Sequence, residues 1–262
     1  AAQTVALVRH ALRGATLAAV VNTHLHSDHC GGNRALVEAF GCSVTIPRAS
    51  ADEVAEWDEQ RLSFAATGQH CPRFAYDATL QPGDTLRLGG FDWDVHAAPG
   101  HDPKSLIFHC ERERLLISAD ALWENGFGIV FPEIDGESGF DEQHQVLELI
   151  GRLRVERVLP GHGPMFGEVE AALGRARAKL AAMRADPKRH ARHALKVLVK
   201  FLLLDLGRID ERALHEHVSN ALLMRRAAAQ IGMSYEDALR WATDSLVAQG
   251  LLRRQGGELV DA

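Results

Sequence analysis

Seven side chains able to bind metal ions are the most informative feature of this 262-residue chain. Four of them lie within the run Thr-His-Leu-His-Ser-Asp-His, namely His24, His26, Asp28 and His29. The other three follow much later, at His101, Asp120 and His162. Histidine is the commonest metal ligand in proteins, and aspartate offsets the charge of a bound cation. This set therefore predicts the binding of transition-metal ions.

Apolar runs precede these residues and predict the strands that position them. Leu17–Val21, just before the first run, indicates a buried strand of a mostly parallel sheet. Strand-like runs also precede the single residues, at 91–96, 115–117 and 157–159. Open α/β sheets place their sites at the carboxyl ends of strands, so residues far apart in sequence are expected to meet there.

The first run also predicts a local geometry. If extended backbone continues to residue 26, His24 and His26 project to the same side, because side chains of a strand repeat every two residues. Gly31-Gly32 then permits a tight turn into a helix predicted at Asn33–Phe40. An isolated His-x-His pair is usually incidental at a surface, whereas the full set is much more specific.

Residues 15–165 resemble the metallo-β-lactamase superfamily, in particular its dinuclear, glyoxalase II-like hydrolase branch. Besides the first run, the resemblance rests on three segments, which are Ala98-Pro99-Gly100-His101, Ile117-Ser118-Ala119-Asp120 and Pro160-Gly161-His162-Gly163. It implies an α/β fold of four layers, an αββα sandwich. A C-terminal helical or winged extension also occurs in some relatives.

The resemblance further implies a role for each of the seven residues. A first metal ion would be held by His24, His26 and His101. A second would be held by Asp28, His29 and His162, with Asp120 bridging the two ions. Two divalent ions are therefore the expected cofactors; zinc suits these ligands best, and iron or manganese also accepts them. A metal-bridging hydroxide is the expected nucleophile, with Asp28 and Asp120 as the catalytic carboxylates.

The substrate stays open, because loops rather than ligands choose it on this scaffold. Hydrolysis of a small ester, thioester or lactone is the leading expectation. Lys104 is the nearest cation in sequence for an acidic thiol carrier, and a lactonase tyrosine could come only from Tyr76 or Tyr235. His29 disfavours β-lactamase activity, since the commonest zinc β-lactamases carry arginine there. The alternatives are a nucleic-acid-processing metallo-nuclease and a persulfide dioxygenase-like enzyme with a single iron.

Composition predicts a cytoplasmic protein that does not bind membranes. Hydrophobic residues make up 46% and charged residues 24%, as in ordinary globular proteins. The most apolar region, Ala194–Leu206, is interrupted by charged residues and therefore predicts a packed helix. The four cysteines lack C-x-x-C spacing, which suits a reducing compartment. Cys30, beside His29, is interpreted as a packing residue, with a ligand or redox role as the alternative.

The amino-terminal segment predicts a helix at Thr4–Arg13, with Thr4 as its N-cap. In the resembling family, several strands precede the helix that leads into the metal-binding run. We therefore expect that an N-terminal β-segment is missing from this chain, and that the first sheet has an uncovered edge.

Charge and composition change near residue 167 and predict two domains. Residues 1–166 form the expected catalytic domain, where acidic residues outnumber basic ones, and residues 167–262 form a C-terminal module with a basic excess. Helices are predicted in that module at 169–185, 187–206, 211–220 and 235–249, followed by a hairpin at 251–260. This order suggests a winged-helix-like unit.

The basic excess of the C-terminal module leaves its partner open. Arg225-Arg226 and Arg253-Arg254 make nucleic-acid binding an alternative, but the excess is small for that function. A lid or a homodimer contact is favoured instead, beside a small-molecule substrate. His190 with His193, and His215 with His217, are interpreted as surface pairs.

Two further segments yield predictions that the structure can test. A helix is predicted at Ala49–Gln60, capped by Ser50 or Asp52. The aromatic, glycine-containing loop Trp123–Gly139 directly follows Asp120. A loop this long is usually functional, so it is either a mobile wall over the metals or a segment pinned to the core by its aromatic residues.

Overall fold

The computed structural model describes residues 2–262. Its first part alternates short helices with two groups of strands. In chain order these elements are α1 (Ala2–Leu12), β1 (Ala19–Val21), α2 (Ser27–Cys30), α3 (Asn33–Phe40), β2 (Ser43–Pro47), α4 (Ala51–Glu56), α5 (Phe64–Thr67), β3 (Ala78–Leu80), β4 (Thr85–Leu88), β5 (Phe91–Ala97), β6 (Leu106–Cys110), β7 (Leu115–Ala119), α6 (Phe131–Asp135), α7 (Phe140–Arg152) and β8 (Arg157–Pro160).

The second part is mainly helical. Its elements are α8 (Val169–Ala185), α9 (Pro187–Leu206), β9 (Arg208–Asp210), α10 (Glu211–His217), α11 (Leu222–Gln230), α12 (Tyr235–Ala248), β10 (Leu252–Gln255) and β11 (Glu258–Asp261). The three strands form one antiparallel sheet in the order β10-β11-β9. Within residues 2–262, no helix is long and apolar enough to cross a membrane.

The strands of the first part form two sheets. β1, β2 and β3 lie side by side and run parallel, as the sequence predicts for the strand before His24. The second sheet has the order β4-β5-β6-β7-β8, with antiparallel pairs except for β7 and β8. β1 is half-buried rather than fully buried, and it pairs with β2 but with no other strand of residues 2–262.

Side-chain alternation along the strands creates four layers. On β6, Leu106 and Phe108 face the first sheet, whereas Ile107 faces helices α7 and α8. The neighbouring strand repeats the alternation, with Ile117 toward the first sheet and Leu116 toward the helices. A third core lies between the first sheet and helices α2, α4 and α5. Helix, sheet, sheet and helix are therefore stacked, because each strand directs alternate residues to opposite faces.

Several local predictions are confirmed at their residue bounds, and others are wrong. α3 and α8 form where expected, and the predicted C-terminal hairpin is present as the antiparallel pair β10 and β11. The helix predicted at Ala49–Gln60 is shorter, because Trp57 adopts a left-handed conformation and ends α4 after Glu56. Thr4 is not an N-cap, since α1 already begins at Ala2.

Gly31-Gly32 has a different role from the one predicted. Both residues have ordinary helical φ values, so no special backbone conformation is needed. A Cβ on Gly32 would lie 2.8 Å from Cγ2 of Thr4, so the glycine allows α1 to approach α3 closely. The requirement at Gly32 is close packing rather than conformational freedom.

The C-terminal helices share a core with the first part. Residues of α9, α11 and α12 pack with Ala66, Ile129 and Ile134, all of which precede residue 167. α8 belongs to another core, where Leu173 and Leu180 pack against the second sheet and α7. The two parts of the chain therefore meet through buried apolar side chains.

Candidate metal centre

The predicted ligands follow the ends of four strands that meet at one edge of the molecule. His24 and His26 come after β1, His101 after β5, Asp120 directly after β7, and His162 after β8. Asp28 and His29 lie on the single turn α2. The β1 strand ends at Val21, earlier than the alternation argument assumed. His24 and His26 converge nonetheless, with ring centroids 4.7 Å apart.

All seven residues fall into three overlapping groups whose ligand atoms lie within 4.8 Å of one another. These groups are His24, His26 and His101; His24, His29 and Asp120; and Asp28, His29 and His162. The first and the third group are the two ligand sets that the resemblance implies. Asp120 lies between them.

Distances at Asp120 support its central position. Its Oδ2 atom lies 3.2 Å from His101 Nε2, 3.4 Å from His29 Nε2 and 3.6 Å from His162 Nε2. On the outer side, Asp28 Oδ2 lies 3.1 Å from His162 Nε2. The Asp120 carboxylate thus faces imidazoles of the first and the third group, whereas the Asp28 carboxylate faces only those of the third.

Unpartnered nitrogen atoms indicate that the site suits cations. Nε2 of His24, His29 and His162 is buried without a hydrogen-bond partner of acceptable geometry. Buried polar atoms are almost always paired, so three such atoms facing two carboxylates call for an additional charged partner. Imidazole and carboxylate are the donors that zinc, iron and manganese accept. The residues present therefore fit two divalent cations.

Two glycines leave the space that the ligands occupy. A Cβ on Gly128 would lie 2.5 Å from Nδ1 of His101, and one on Gly161 would collide with Oδ1 of Asp120 and come within 2.9 Å of His29 Cε1. Loop backbone thus packs directly against the ligands. A side chain at either position would displace them.

The electrostatics keep the imidazoles of His24 and His101 neutral and the carboxylates of Asp28 and Asp120 charged. Burial lowers the pKa of His101 to about 4, and burial also lowers that of His24. Burial acts to raise the pKa of Asp120, but the neighbouring His162 and His29 imidazoles outweigh it and hold this pKa well below its usual range. The Asp120 carboxylate, followed by that of Asp28, raises the pKa of His162 to about 10. A cation bound between these groups would replace the His162 proton.

Hydrogen bonds outside the ligand set orient several ligands. Thr23 Oγ1 lies 3.2 Å from His24 Nδ1, and the backbone oxygen of Ile129 lies 2.5 Å from His101 Nδ1. The indole N–H of Trp123 donates to Asp120 Oδ1 at 3.2 Å. Such partners fix the ring orientation of a metal-binding histidine.

Asp102 is a neighbour of the site that sequence reasoning missed. Its Oδ2 atom lies 3.5 Å from His26 Nε2. Its position directly after His101 was the available signal. Asp102 follows His101 in the turn after β5, and its carboxylate there contacts a different candidate ligand, His26.

The loop at 123–139 is pinned to the core, as one of its two predicted roles requires, and it also forms part of the wall of the centre. Phe127 is fully buried and Ile129 nearly so, which pins the loop to the core. Phe131, at the start of α6, lies 5.3 Å from the His26 ring, and Trp123 lies 5.1 Å from the His162 ring. The loop is therefore anchored by some aromatic residues and lines the centre with others.

Other predicted residues are placed as follows. Cys30 is fully buried, and its Sγ lies 3.7 Å from Sγ of Cys71. His190 is wrongly predicted to be a surface residue. It is 1% exposed, and its Nε2 accepts a hydrogen bond from the backbone N–H of Val130 at 3.3 Å. His193 is also partly buried. In the part of the chain that the structure describes, neither residue joins a candidate metal group.

A cavity of about 330 Å³ opens beside the cluster. Asp28, His101, Asp120 and His162 contribute to one side. The other walls are largely apolar and come from the 123–131 loop and from α9, with His193, Val197, Leu198, Phe201 and Leu204 as the α9 residues. Sequence reasoning missed the α9 wall, because only the tertiary packing brings it to the centre.

Comparison with known proteins agrees with this fold. The sequence profile of the metallo-β-lactamase superfamily matches residues 1–162, and the chain belongs to this superfamily. The predicted αββα fold with a C-terminal helical region is thereby confirmed. A β-lactamase domain protein from Burkholderia ambifaria matches 98% of this chain and 79% of its own, with a TM-score of 0.55. At 20% identity, that likeness concerns the fold alone.

Two curated relatives carry activities in their names. The chain is 31% identical over 116 residues to a hydroxyacylglutathione hydrolase of Hyphomonas neptunium, covering 44% of this chain and 38% of that protein. It is 29% identical over 157 residues to the acyl-coenzyme A thioesterase MBLAC2 of Gallus gallus, covering 56% of this chain and 57% of that protein. The matches thus span less than two thirds of either relative.

Proposed function

We propose that this protein is a metal-dependent hydrolase of a small ester, thioester or lactone. The observation that carries the proposal is the cluster of seven ligand residues, with its unpartnered imidazole nitrogens, at the side of a mostly apolar cavity. Hydrolysis adds the oxygen of water to the carbonyl carbon, breaks the bond from that carbon to oxygen or sulfur, and gives the leaving group a proton.

The residues divide between two cations. His24, His26 and His101 would hold one, and Asp28, His29 and His162 the other, with Asp120 contacting both. When bound, such a pair supplies Lewis acidity and lowers the pKa of a shared water. Zinc is the proposed metal because it favours this mixture of nitrogen and oxygen donors.

The chain's own groups complete the chemistry. Asp120 is held by the Trp123 indole at Oδ1, which leaves Oδ2 facing the imidazoles. Asp28 is the more accessible carboxylate, so its Oδ2 atom is placed to pass a proton to the leaving group. The Phe131 ring packs against the His26 and His101 rings and gives the cluster an apolar neighbour on that side.

The names of the relatives favour a thioester among the three substrates. Lys104 gives little support to an anionic thiol carrier, because it is paired with the buried Glu53. The tyrosines give no support to a lactonase. The hydroxyl of Tyr235 donates to the Val218 backbone oxygen, and within residues 2–262 neither Tyr76 nor Tyr235 lines the cavity.

The nuclease alternative is disfavoured because three of the four arginines that raised it are engaged within the chain, and Arg253 is the exposed exception. Arg225 donates to the Ser219 backbone oxygen, Arg226 pairs with Asp135, and Arg254 pairs with Glu211 and Asp244. We infer a winged-helix-like unit from α9 to β11 that covers the site rather than binding nucleic acid. RNA retained at low salt and released by added salt would contradict this inference.

A combined metal and activity measurement tests the proposal. Purified protein should contain about two zinc ions per chain and hydrolyse thioesters or esters. Asp120→Ala should lose most of the metal and nearly all of the activity. Asp52→Ala removes an exposed carboxylate and should retain both. A single iron per chain would favour the dioxygenase-like alternative, and full activity in metal-depleted protein would refute metal-dependent hydrolysis.

A further inference from the structure

One face of α9 forms an uninterrupted wall of the cavity beside the metal centre. His193, Val197, Phe201 and Leu204 all line it, at spacings of three or four residues. Residues so spaced lie on one side of a helix, and from 193 to 204 this stripe extends for about 16 Å. Phe201 approaches the centre itself, since its ring centroid lies 5.7 Å from that of His162.

The cavity offers no positive charge outside the cluster. Among the described residues that line it, none is lysine or arginine. Burial lowers the pKa of His193 to about 4, so its imidazole is neutral near pH 7. Thr67 and Gln69 are the only other polar residues outside the cluster. An anionic carrier such as coenzyme A or glutathione would lose its hydration along the walls of this cavity, where no side chain offers it a positive charge.

The cavity volume sets a rough limit on the occupant. A water molecule takes up about 30 Å³ in the liquid, and a methylene group is of similar size, so the cavity of about 330 Å³ holds roughly ten such groups. Leu204 is 54% exposed and the cavity reaches it, so the apolar wall continues to the surface.

We propose that this α9 face is the binding subsite for an unbranched aliphatic acyl chain, whose carbonyl lies at the metal centre. The inference rests on the proposed hydrolase function and specifies its substrate. The decisive observation is that the apolar wall is continuous with the ligand cluster. The acyl chain and the reacting carbonyl belong to one substrate molecule, so their subsites must adjoin. The charged part of a carrier would then lie outside this cavity.

A chain-length series tests the subsite by turnover. The probes are N-acetylcysteamine thioesters with acyl chains from two to twelve carbons, which share one uncharged leaving group. Each buried methylene is worth about 0.8 kcal/mol, so kcat/KM should rise about fourfold per added carbon until the cavity is full. Equal kcat/KM for two-carbon and eight-carbon chains would overturn the subsite while leaving the hydrolase function in place.

A matched pair of substitutions tests the location. Leu204→Trp adds bulk at the cavity wall, whereas Leu206→Trp adds the same bulk on the same helix outside it; both leucines are partly exposed, so both variants should fold. Leu204→Trp should lower kcat/KM for the ten-carbon thioester by about tenfold or more and leave the two-carbon thioester within about twofold. If Leu206→Trp has the same effect, or if Leu204→Trp has none, the proposed location is wrong.

A binding measurement separates the subsite from catalysis. Methyl ketones from 2-butanone to 2-decanone carry the same chain but cannot be hydrolysed, and calorimetry reports their affinity. Affinity should increase with chain length in wild type and much less in Leu204→Trp. Ketone binding of this kind without hydrolysis of thioesters, esters or lactones that carry the same chain would support the chain subsite and refute the proposed function. Affinity independent of chain length would overturn the subsite.

Discussion

At the residue scale, the centre depends on two glycines as well as on the candidate ligand residues. Gly128 and Gly161 are packed so tightly against His101 and Asp120 that even a methyl group would overlap a ligand. Neither glycine has a positive φ, so any residue could adopt their backbone conformations. Close approach to the ligands is therefore the reason for both glycines.

This crowding predicts the effect of Gly161→Ala. The added methyl group must displace Asp120 or His29, so bound metal and hydrolysis should each fall by about 10- to 100-fold, as when a supporting group of a metal site is lost. Elemental analysis and kcat/KM measure the two effects. Gly174→Ala, in open space on α8, is the control and should be neutral or slightly stabilising. Unchanged metal content in Gly161→Ala would contradict the packing argument.

That the seven candidate ligand residues lie together could be predicted from the sequence, whereas most of the residues around them could not. The ligands share chemical types, order and strand-end positions, all of which are visible along one chain. Asp102 reaches His26, and His193 reaches the cavity, through the packing of elements that are distant in sequence. His190 was mistaken for a surface residue because its i,i+3 spacing to His193 says nothing about which helix face is buried. Tertiary packing decided each of these cases.

At the element scale, one partly buried lysine links α8 to the loop beside the centre. Lys179 Nζ donates to the backbone oxygen of Phe127 at 2.7 Å and lies 4.7 Å from the centroid of the Phe127 ring. Burial lowers the pKa of Lys179 to about 8. Trp123 and Ile129 in the same loop hold Asp120 and His101, so the lysine positions ligands without touching them.

Removing this lysine should weaken turnover more than metal binding. Lys179→Met keeps the apolar stem but loses one charged hydrogen bond, worth about 1.5–3 kcal/mol. We expect kcat to fall about tenfold with metal content nearly unchanged, because all seven ligand residues remain. Steady-state kinetics and elemental analysis on the same samples check this. Lys188→Met, at an exposed position of α9, should behave as wild type. Equal losses of kcat in both variants would show that Lys179 does not position the ligands.

The contact between α9 and the same loop predicts acid sensitivity. Burial, followed by the charge of Lys179, lowers the pKa of His190 to about 4, whereas an unfolded chain binds this proton near pH 6.5. Protons therefore favour the unfolded state between these values. The contribution of neutral His190 to the free energy of unfolding is fully present above pH 6.5. It should decrease by about 2 kcal/mol by pH 5.

Urea unfolding of variants at pH 7, 6 and 5 isolates this contribution. His190→Gln keeps an acceptor for the Val130 N–H but has no titrating group, so it should lose about 2 kcal/mol less than wild type between pH 7 and pH 5. His144→Gln, at an exposed site of α7, should follow wild type. Parallel curves for wild type and His190→Gln would show that His190 is not the titrating group.

The elements differ in how well sequence predicts them. α8 and α9 have strong helix propensity, and α9 begins at a proline; the C-terminal hairpin turns at Gly256-Gly257. The structure confirms all three. α11 was not predicted, because its N-cap Ala221 makes no side-chain hydrogen bond and gives no start signal. β9 has only three residues and exists as a strand because it pairs with β11. Short elements defined by a distant partner carry little local signal.

At the scale of the whole molecule, the charge boundary near residue 167 does not coincide with a boundary between cores. Leu173 and Leu180 of α8 pack beneath the second sheet, although they follow the boundary. Ile129 and Ile134 pack with the C-terminal helices, although they precede it. The charge composition of a segment indicates which residues it exposes to solvent. The extent of a core depends instead on which apolar faces of the elements pack together.

This interlocking of cores predicts the behaviour of truncated chains. A chain of residues 1–166 lacks α8 and would expose apolar side chains of the second sheet and of α7 to water; each large residue costs about 1.5–3 kcal/mol when exposed. That loss approaches the whole stability of a typical domain, so the fragment should unfold without cooperativity.

A fragment of residues 1–186 is the matched comparison for the 1–166 chain. It retains α8 and should recover part of the urea transition, because its remaining exposed core is mainly that around Ile129 and Ile134. Circular dichroism in the aromatic region and urea titration distinguish the three chains. A sharp transition in residues 1–166, equal in midpoint to that of the full chain, would establish the predicted catalytic domain as an independent unit. It would also mean that the C-terminal helices supply one wall of the cavity without stabilising the fold around the metal centre.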